Sequence, residues 1–306
     1  MHNKVLITGI TGFLGSHIAR HLLNQNDEII AWVRRSSNMH RCIDFAEKIN
    51  FCYEEDENFE FNIHKFNPSI IIHCAWVGVT ASERESMELQ LKNLELTDKL
   101  INIAKGLNLN KFICLGSQAE YGYIDGIIDE SAETKPTNAY GKVKLLVLSK
   151  IQGYCSSNNL DWYWLRIFSV FGPGEDDSWL IPSLIHTMHK MESMDMTLGE
   201  QKYAYLFIED FTLIVENIIN LNVQSGVYNV CSPNALSIKE LALKILNLLN
   251  PNFKINFGAL PYRNKQSMLV QGNISKLIHQ IGEIKFTDVN LALTKTIEHY
   301  KYKVNL

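Results

Sequence analysis

Through the first half of the chain, apolar runs of four to seven residues alternate with stretches whose apolar positions recur every three or four residues. That alternation predicts a parallel sheet whose strands are buried on both faces and covered by helices. Six strand-like runs precede residue 170: KVLIT at 4–8, EIIAWV at 28–33, NFCY at 50–53, SIIIHCA at 69–75, KFICLGS at 111–117 and WYWLRIF at 162–168. Helices are expected over 84–105, where Leu89, Leu94, Leu100, Ile101 and Ala104 make one stripe, and over 138–156. The second half is more mixed. A loop FGPGEDD at 171–177 leads to a helix near 180–192, YLFI precedes a helix over 209–221, and GVYNV precedes a helix over 237–249.

The expected fold is therefore α/β: a Rossmann-type doubly wound parallel sheet with a smaller C-terminal cap. Residues 1–170, completed by 204–232, would form the nucleotide-binding part, and 171–203 with 233–306 a substrate-binding cap. Ligand is expected between them, at the carboxyl ends of the strands.

Composition narrows the picture. A chain of 306 residues with 46% hydrophobic and 20% charged residues can bury a large core, which sets aside a disordered or fibrous protein. A formal charge of -4 offers no basic field for nucleic acid or an anionic membrane. The N-terminal segment runs into an apolar strand without a charged leader, and no uncharged apolar stretch of about 18 residues follows, so a soluble cytoplasmic protein is expected. The six cysteines are scattered without a CxxC pair and read as reduced core residues; no metal site is expected.

The first run ends in Gly9-Ile10-Thr11-Gly12-Phe13-Leu14-Gly15, followed by the helical SHIARHLL. Spaced glycines between a strand and a helix permit a tight turn, close approach of backbone to a pyrophosphate, and tight helix-on-strand packing, while the helix N-terminus offers free N–H groups to the anion. After the second run stand Arg34, Arg35, Ser36 and Ser37, with no acid to accept the ribose 2'-hydroxyl of NAD. Two guanidinium forks suit the 2'-phosphate of NADP, so NADPH is the expected cofactor.

Tyr140 and Lys144 fall four apart on an expected helix and so share a face. A nearby ammonium favours the phenolate of a tyrosine whose reference pKa is about 10. Ser117, at the carboxyl end of the fifth run, can hydrogen-bond the same substrate oxygen as Tyr140. His73 lies in the fourth run beside Ala75 and Trp76, near the expected nicotinamide, and reads as a core histidine. The methionines at 188, 191, 194 and 196 read as apolar filling.

With TGITGFLG, Asn93 within its helix, LGSQAEYG, Tyr140 to Lys144, LRIFSVFGPGEDD and VYNV in place, nearly the whole chain resembles the extended short-chain dehydrogenase/reductase family, the nucleotide-sugar epimerases, dehydratases and reductases. The resemblance implies that Ser117 polarises the substrate oxygen, Tyr140 passes its proton and Lys144 steadies the cofactor. It also implies cofactor contacts from the glycine loop, Ala75, Trp76 and Asn93. A homodimer through the helices 84–105 and 138–156 is expected on the same ground.

The departures from the family pattern select a reaction. The 4,6-dehydratases carry an Asp-Glu pair directly after the serine; here Gln118 and Ala119 stand there, and neither can exchange a proton. Reductases that also epimerise use Cys and His where this chain has Ala119 and Trp179. Four-epimerases of the UDP-galactose type hold NAD with an acid after the second strand. Direct ketone reduction is left, and GSQAEYG, FGPGEDDSWLIP and GALPYRNKQSM look most similar to CDP-abequose synthase and the dTDP-4-keto-6-deoxyhexose reductases. The expected activity is NADPH-dependent reduction of C4 of a nucleotide-activated 4-keto-6-deoxyhexose, with an epimerase or an NADP-sensing binding protein as alternatives. Gln118, Tyr121, Trp179 and Arg263 are the candidate substrate contacts, Arg263 as a clamp for the diphosphate.

Overall fold

The computed structural model describes residues 2–304. In chain order its strands and α-helices are β1 (Lys4–Thr8), α1 (Phe13–Asn24), β2 (Glu28–Val33), β3 (Asn50–Tyr53), α2 (Phe59–Phe66), β4 (Ile70–His73), α3 (Met87–Ala104), β5 (Lys111–Ser117), β6 (Gly126–Ile128), α4 (Ala139–Ser157) and β7 (Asp161–Ile167). There follow β8 (Ser169–Phe171), α5 (Leu180–Lys190), β9 (Ser193–Met196), β10 (Lys202–Tyr203), β11 (Tyr205–Phe207), α6 (Ile208–Asn220), β12 (Gly226–Val230), β13 (Leu236–Ser237), α7 (Ile238–Leu249), β14 (Lys254–Phe257), β15 (Leu269–Gly272), α8 (Ser275–Ile281) and α9 (Val289–Val304).

The chain divides into two compact units. One comprises Met1–Tyr123, Glu130–Ile167 and Thr212–Asn229; the other Ile124–Asp129, Phe168–Phe211 and Val230–Leu306. The first is built on a seven-stranded sheet of order β12-β7-β5-β4-β1-β2-β3. The pairings among β1, β2, β3, β4, β5 and β7 are all parallel. Strand order reverses between β1 and β4, the switch point at which a doubly wound sheet opens a crevice.

Local chemistry explains the covering helices. Alternate strand residues Leu6, Ile30, Ile71, Phe112 and Trp164 meet Leu100 and Ile103 of α3 and Val143, Val147 and Ile151 of α4 in one buried cluster. Val5 and Ile7 point the other way and are equally buried. Ser86 starts α3 by accepting the Leu89 N–H, and Asn138 starts α4 by accepting that of Gly141 at 2.9 Å. His21 of α1 meets Glu216 of α6 at 2.6 Å.

The second unit contains a four-stranded sheet of order β13-β10-β15-β6 and two strand pairs. Residues 205–207 do not return to the large sheet, as the sequence suggested for 204–232; they pair in parallel with Ser169–Phe171, and only β12 of that stretch joins the seven strands. The short strands β6, β9, β10, β14 and β15 were not expected at all. The fourth apolar run, expected over 69–75, forms a strand only from Ile70 to His73, and the backbone after it passes close to Gly9.

That approach is a close backbone crossing. Gly9 has φ +71°, and a Cβ on it would lie 2.5 Å from the Ala75 nitrogen and 2.6 Å from its Cα. No side chain can be placed there without moving the exit of β4. Gly9→Ala should therefore lower stability by about 1–3 kcal/mol, read from the urea midpoint. Gly12→Ala, whose Cβ would meet only the Gly9 oxygen at 3.3 Å, should unfold close to the unmodified chain.

Candidate active site

The glycine loop forms a cradle at the switch point. A Cβ on Gly15 would fall on the Gly9 carbonyl oxygen, so α1 lies directly against the turn. Gly12 is different: its backbone is extended (φ -79°, ψ 170°) and the chain itself leaves room for a side chain there. The space in front of it is open to a ligand's approach. Gly12 is the N-cap of α1, no side chain caps that end, and the first turn carries no acid. The N–H groups at the start of α1, around Phe13 and Leu14, therefore present uncancelled positive potential beside Thr11, which suits a pyrophosphate. The residues fit a dinucleotide.

At the adenosine end the residues after β2 hold no acid, as the sequence showed, but those after β3 bring three. β3 lies beside β2 with Val33 opposite Tyr53, so Glu54, Glu55 and Asp56 emerge next to Arg34 and Arg35. The Arg35 guanidinium pairs with Asp56, its backbone N–H donates to Glu55, and its side chain covers the Tyr53 ring. Glu54 accepts from the Trp32 indole at 2.9 Å. Arg34 is exposed, and among the described residues its guanidinium forms no salt bridge. Ser37 accepts the Arg34 N–H at 3.2 Å and folds the loop back.

Ser117, Tyr140 and Lys144 come together in the first unit, and all three are buried. Gly141 allows this, since a Cβ there would lie 2.5 Å from the Ala119 oxygen; the start of α4 thus presses on the turn after β5. Burial pushes the Tyr140 phenol above its ordinary pKa, with the Arg84 cation and a hydrogen bond to Ser117 pulling back. Lys144 donates to the Leu115 carbonyl at 2.7 Å and sits 3.4 Å from the centre of the Trp76 ring. Burial holds it down to about 7, against the opposing charge of Glu120. The Trp76 ring meets Tyr140 edge to face, centroids 5.7 Å apart.

Asn93 works through the loop that carries Ala75 and Trp76. It is buried, its amide oxygen accepts the Val77 N–H at 2.8 Å, and its nitrogen donates to the carbonyls of Val77 and Gln90. Gln90 accepts the Trp76 indole N–H at 2.8 Å. His73 is a buried neutral base: desolvation, then Lys144, push it down to about 3, and its Nδ1 lies 2.7 Å from the Thr8 hydroxyl.

Two groups escaped the sequence reading. Glu120, fully buried, accepts from the Ser117 N–H at 2.7 Å, from the Trp164 indole at 2.9 Å and from Arg166 at 2.7 Å. The spacing Ser117-Gln118-Ala119-Glu120 is a capping box and would have revealed it. Arg84, beside Tyr140, carries no spacing that points to it. Of the substrate candidates, Gln118 is half-buried next to Ser117. Tyr121 is buried, its hydroxyl donating to Asn229 at 2.8 Å and its ring beneath Arg166. Trp179 and Arg263 belong to the second unit and are exposed there. Among the described residues no helix is long and apolar enough to cross a membrane, and no cluster of His, Cys, Asp and Glu is arranged to hold a metal.

A doubly wound sheet with a glycine cradle at its switch point and a Ser-Tyr-Lys cluster at the end of β5 defines a dinucleotide-binding α/β protein. The chain belongs to the NAD dependent epimerase/dehydratase family, whose model matches residues 5–231. It is 23% identical over 275 residues to a dTDP-6-deoxy-L-talose 4-dehydrogenase (NAD(+)) of Aggregatibacter actinomycetemcomitans, covering 88% of this chain and 99% of the relative. It is 24% identical over 286 residues to CDP-abequose synthase of Salmonella muenchen, covering 90% and 91%. Among solved structures, a UDP-N-acetylglucosamine 4-epimerase from Methanobrevibacter ruminantium M1, in complex with UDP-N-acetylmuramic acid, superposes with a TM-score of 0.87 at 22% identity over 99% of each chain. At that identity the likeness shows the shared fold.

The displaced lysine has a measurable consequence. Between about 7 and its ordinary 10.5, Lys144 is protonated in the unfolded chain and neutral in the fold, so its contribution to stability rises with pH across that window and its penalty is complete below 7. Lys144→Met removes this dependence. The melting temperature of the variant relative to the unmodified protein should be highest below pH 7 and decline steadily toward pH 10, in a thermal-melt series without cofactor. An offset independent of pH would show that the lysine keeps its ordinary proton affinity.

Proposed function

We propose that the protein reduces the C4 ketone of a nucleotide-activated 4-keto-6-deoxyhexose, dTDP- or CDP-linked, with NADPH as reductant. The observation that carries this reading is the state of the carboxylates beside Ser117. A dehydratase needs an acid and a base there, whereas Gln118 and Ala119 have no proton to exchange and Glu120 is tied to Ser117, Trp164 and Arg166. What remains beside Ser117 is a hydroxyl, a phenol and an ammonium, the groups that carbonyl reduction requires.

The cofactor, when bound, supplies a hydride. The chain's own residues do the rest: the glycine loop and the start of α1 hold the pyrophosphate, and Trp76 walls the reacting end. Ser117 donates a hydrogen bond to the substrate oxygen as charge accumulates, Tyr140 gives that oxygen its proton, and Lys144 offsets the charge left on the phenolate. Asn93 keeps the Trp76 loop in place. The exposed Arg263 remains the candidate for the nucleotide's diphosphate.

A second reading, a 4-epimerase retaining NAD, is favoured by one observation, the carboxylates of Glu54, Glu55 and Asp56 beside the Arg pair. The decisive measurement is a panel of dTDP-, CDP-, GDP- and UDP-4-keto-6-deoxyhexoses with NADPH, followed at the nicotinamide absorbance and by NMR of the product. Stoichiometric NADPH loss with a new C4 hydroxyl is expected, with Tyr140→Phe about 10²- to 10⁴-fold slower while still binding NADPH. Inversion of a hydroxyl without net NADPH consumption would establish the epimerase, and full activity of Tyr140→Phe would remove the tyrosine from the mechanism.

For the cofactor, among the described residues Arg35 forms an ion pair with a carboxylate and Arg34 does not, so the two should differ. Arg34→Ala should narrow the preference for NADPH over NADH by about 1.5–3 kcal/mol in binding, and Arg35→Ala by less. Equal affinity of the unmodified protein for both cofactors would overturn the assignment.

A further inference from the structure

We propose that Arg84 is a positioning residue for Tyr140, a permanent cation laid against the face of the phenol that holds the ring in place and stabilises the phenolate left by proton transfer. The inference rests on the assignment of Tyr140 as proton donor.

The geometry is built rather than incidental. The Arg84 guanidinium carbon lies 4.7 Å from the centre of the Tyr140 ring, while its Nε donates to the Val79 carbonyl at 2.9 Å. The short helical turn at 83–85 that carries it is fastened in turn. Glu83 accepts from the Thr80 N–H at 3.1 Å and hydroxyl at 2.7 Å, and the Gln90 amide donates to the carbonyls of Gly78 at 2.6 Å and Glu83 at 3.1 Å. With Asn93 on Val77, the whole loop from Trp76 to Glu85 is tied to α3, so Arg84 is delivered to a defined place.

The other groups facing Tyr140 cannot supply the same charge. Ser117 is neutral, Trp76 is an indole, and Glu120 is an anion already paired with Arg166. Lys144 is farther, 5.5 Å from the ring centre, with its ammonium turned to Leu115 and Trp76. Held near 7 by burial, it is only partly charged at neutral pH. A guanidinium keeps its proton throughout. Arg166 is engaged with Glu120, so the permanent cation laid on the Tyr140 ring is Arg84, and its attraction to the ring face grows where water is excluded.

The test separates this role from turnover. Difluorotyrosine is placed at position 140, where ring fluorines bring the phenol's ionisation into a range that the fold survives, and its pKa is read by fluorine NMR. Arg84→Gln and Arg84→Met remove the charge in two ways, Met keeping the apolar stem; Arg84→Lys keeps the charge. Both neutral variants should ionise with a pKa higher by about one, and Arg84→Lys should recover more than half of that change. With Tyr140 restored, the neutral variants should lose roughly tenfold in kcat, with the KM for NADPH little altered. A midpoint unmoved in both neutral variants would overturn the inference even if turnover fell. Should Tyr140→Phe prove fully active while the midpoint moves, the assignment of Tyr140 falls, and the electrostatic coupling of Arg84 to it stands.

Discussion

The buried carboxylate of Glu120 is the interaction on which the rest of the site depends. One buried carboxylate accepts from the Ser117 backbone, the Trp164 indole and the Arg166 guanidinium, and so ties the end of β5 to β7. Removing either partner of such a pair leaves an uncompensated charge in the interior, at a cost of about 3–5 kcal/mol. The same bonds set the direction of Ser117 and the tightness of the turn against which Gly141 and α4 pack. They also occupy the carboxylate nearest Ser117 with three donors.

Around that anchor the polar groups sit in a dry environment that opposes charge on each of them. Burial pushes the phenol of Tyr140 up and the amine of Lys144 down to about 7, so the two proton affinities move apart and the site favours a neutral phenol beside a neutral amine over an ion pair. The cost of burial is offset by hydrogen bonds to fixed partners: Leu115 for the lysine, Ser117 for the tyrosine, Thr8 for the neutral His73. A dinucleotide on the glycine cradle would exclude still more water and strengthen every one of these interactions.

Much of this was legible in the sequence because it is local. The parallel strands show as apolar runs, and β1, β2, β3 and β5 begin and end where the runs do. Tyr140 and Lys144 share a helix face by spacing alone. What stayed hidden is what a one-dimensional reading cannot juxtapose. Arg84 reaches Tyr140 across 56 positions through a loop with no periodicity of its own. Trp164 and Arg166 lie two apart on one face of β7, yet nothing in that spacing names Glu120 as their partner. The two-to-four-residue strands of the second unit are too short to show an alternation at all.

The adenosine end shows the same limit at its sharpest. Reading the residues after β2 alone gives two arginines and no acid. In a parallel sheet, however, the residues leaving β2 lie beside those leaving β3, and the register that sets Val33 opposite Tyr53 brings three carboxylates to the same edge. Two cations facing three anions leave no net positive field to attract a phosphate from a distance. Any preference for a 2'-phosphate must then come from contact, from guanidinium N–H groups meeting phosphate oxygens in a fork. The pair between Arg35 and Asp56 is largely exposed and worth at most about 1 kcal/mol, so a dianion can displace it. The carboxylates of Glu55 and Asp56 are left in place when it does, and their repulsion limits how far selection against the unphosphorylated cofactor can go.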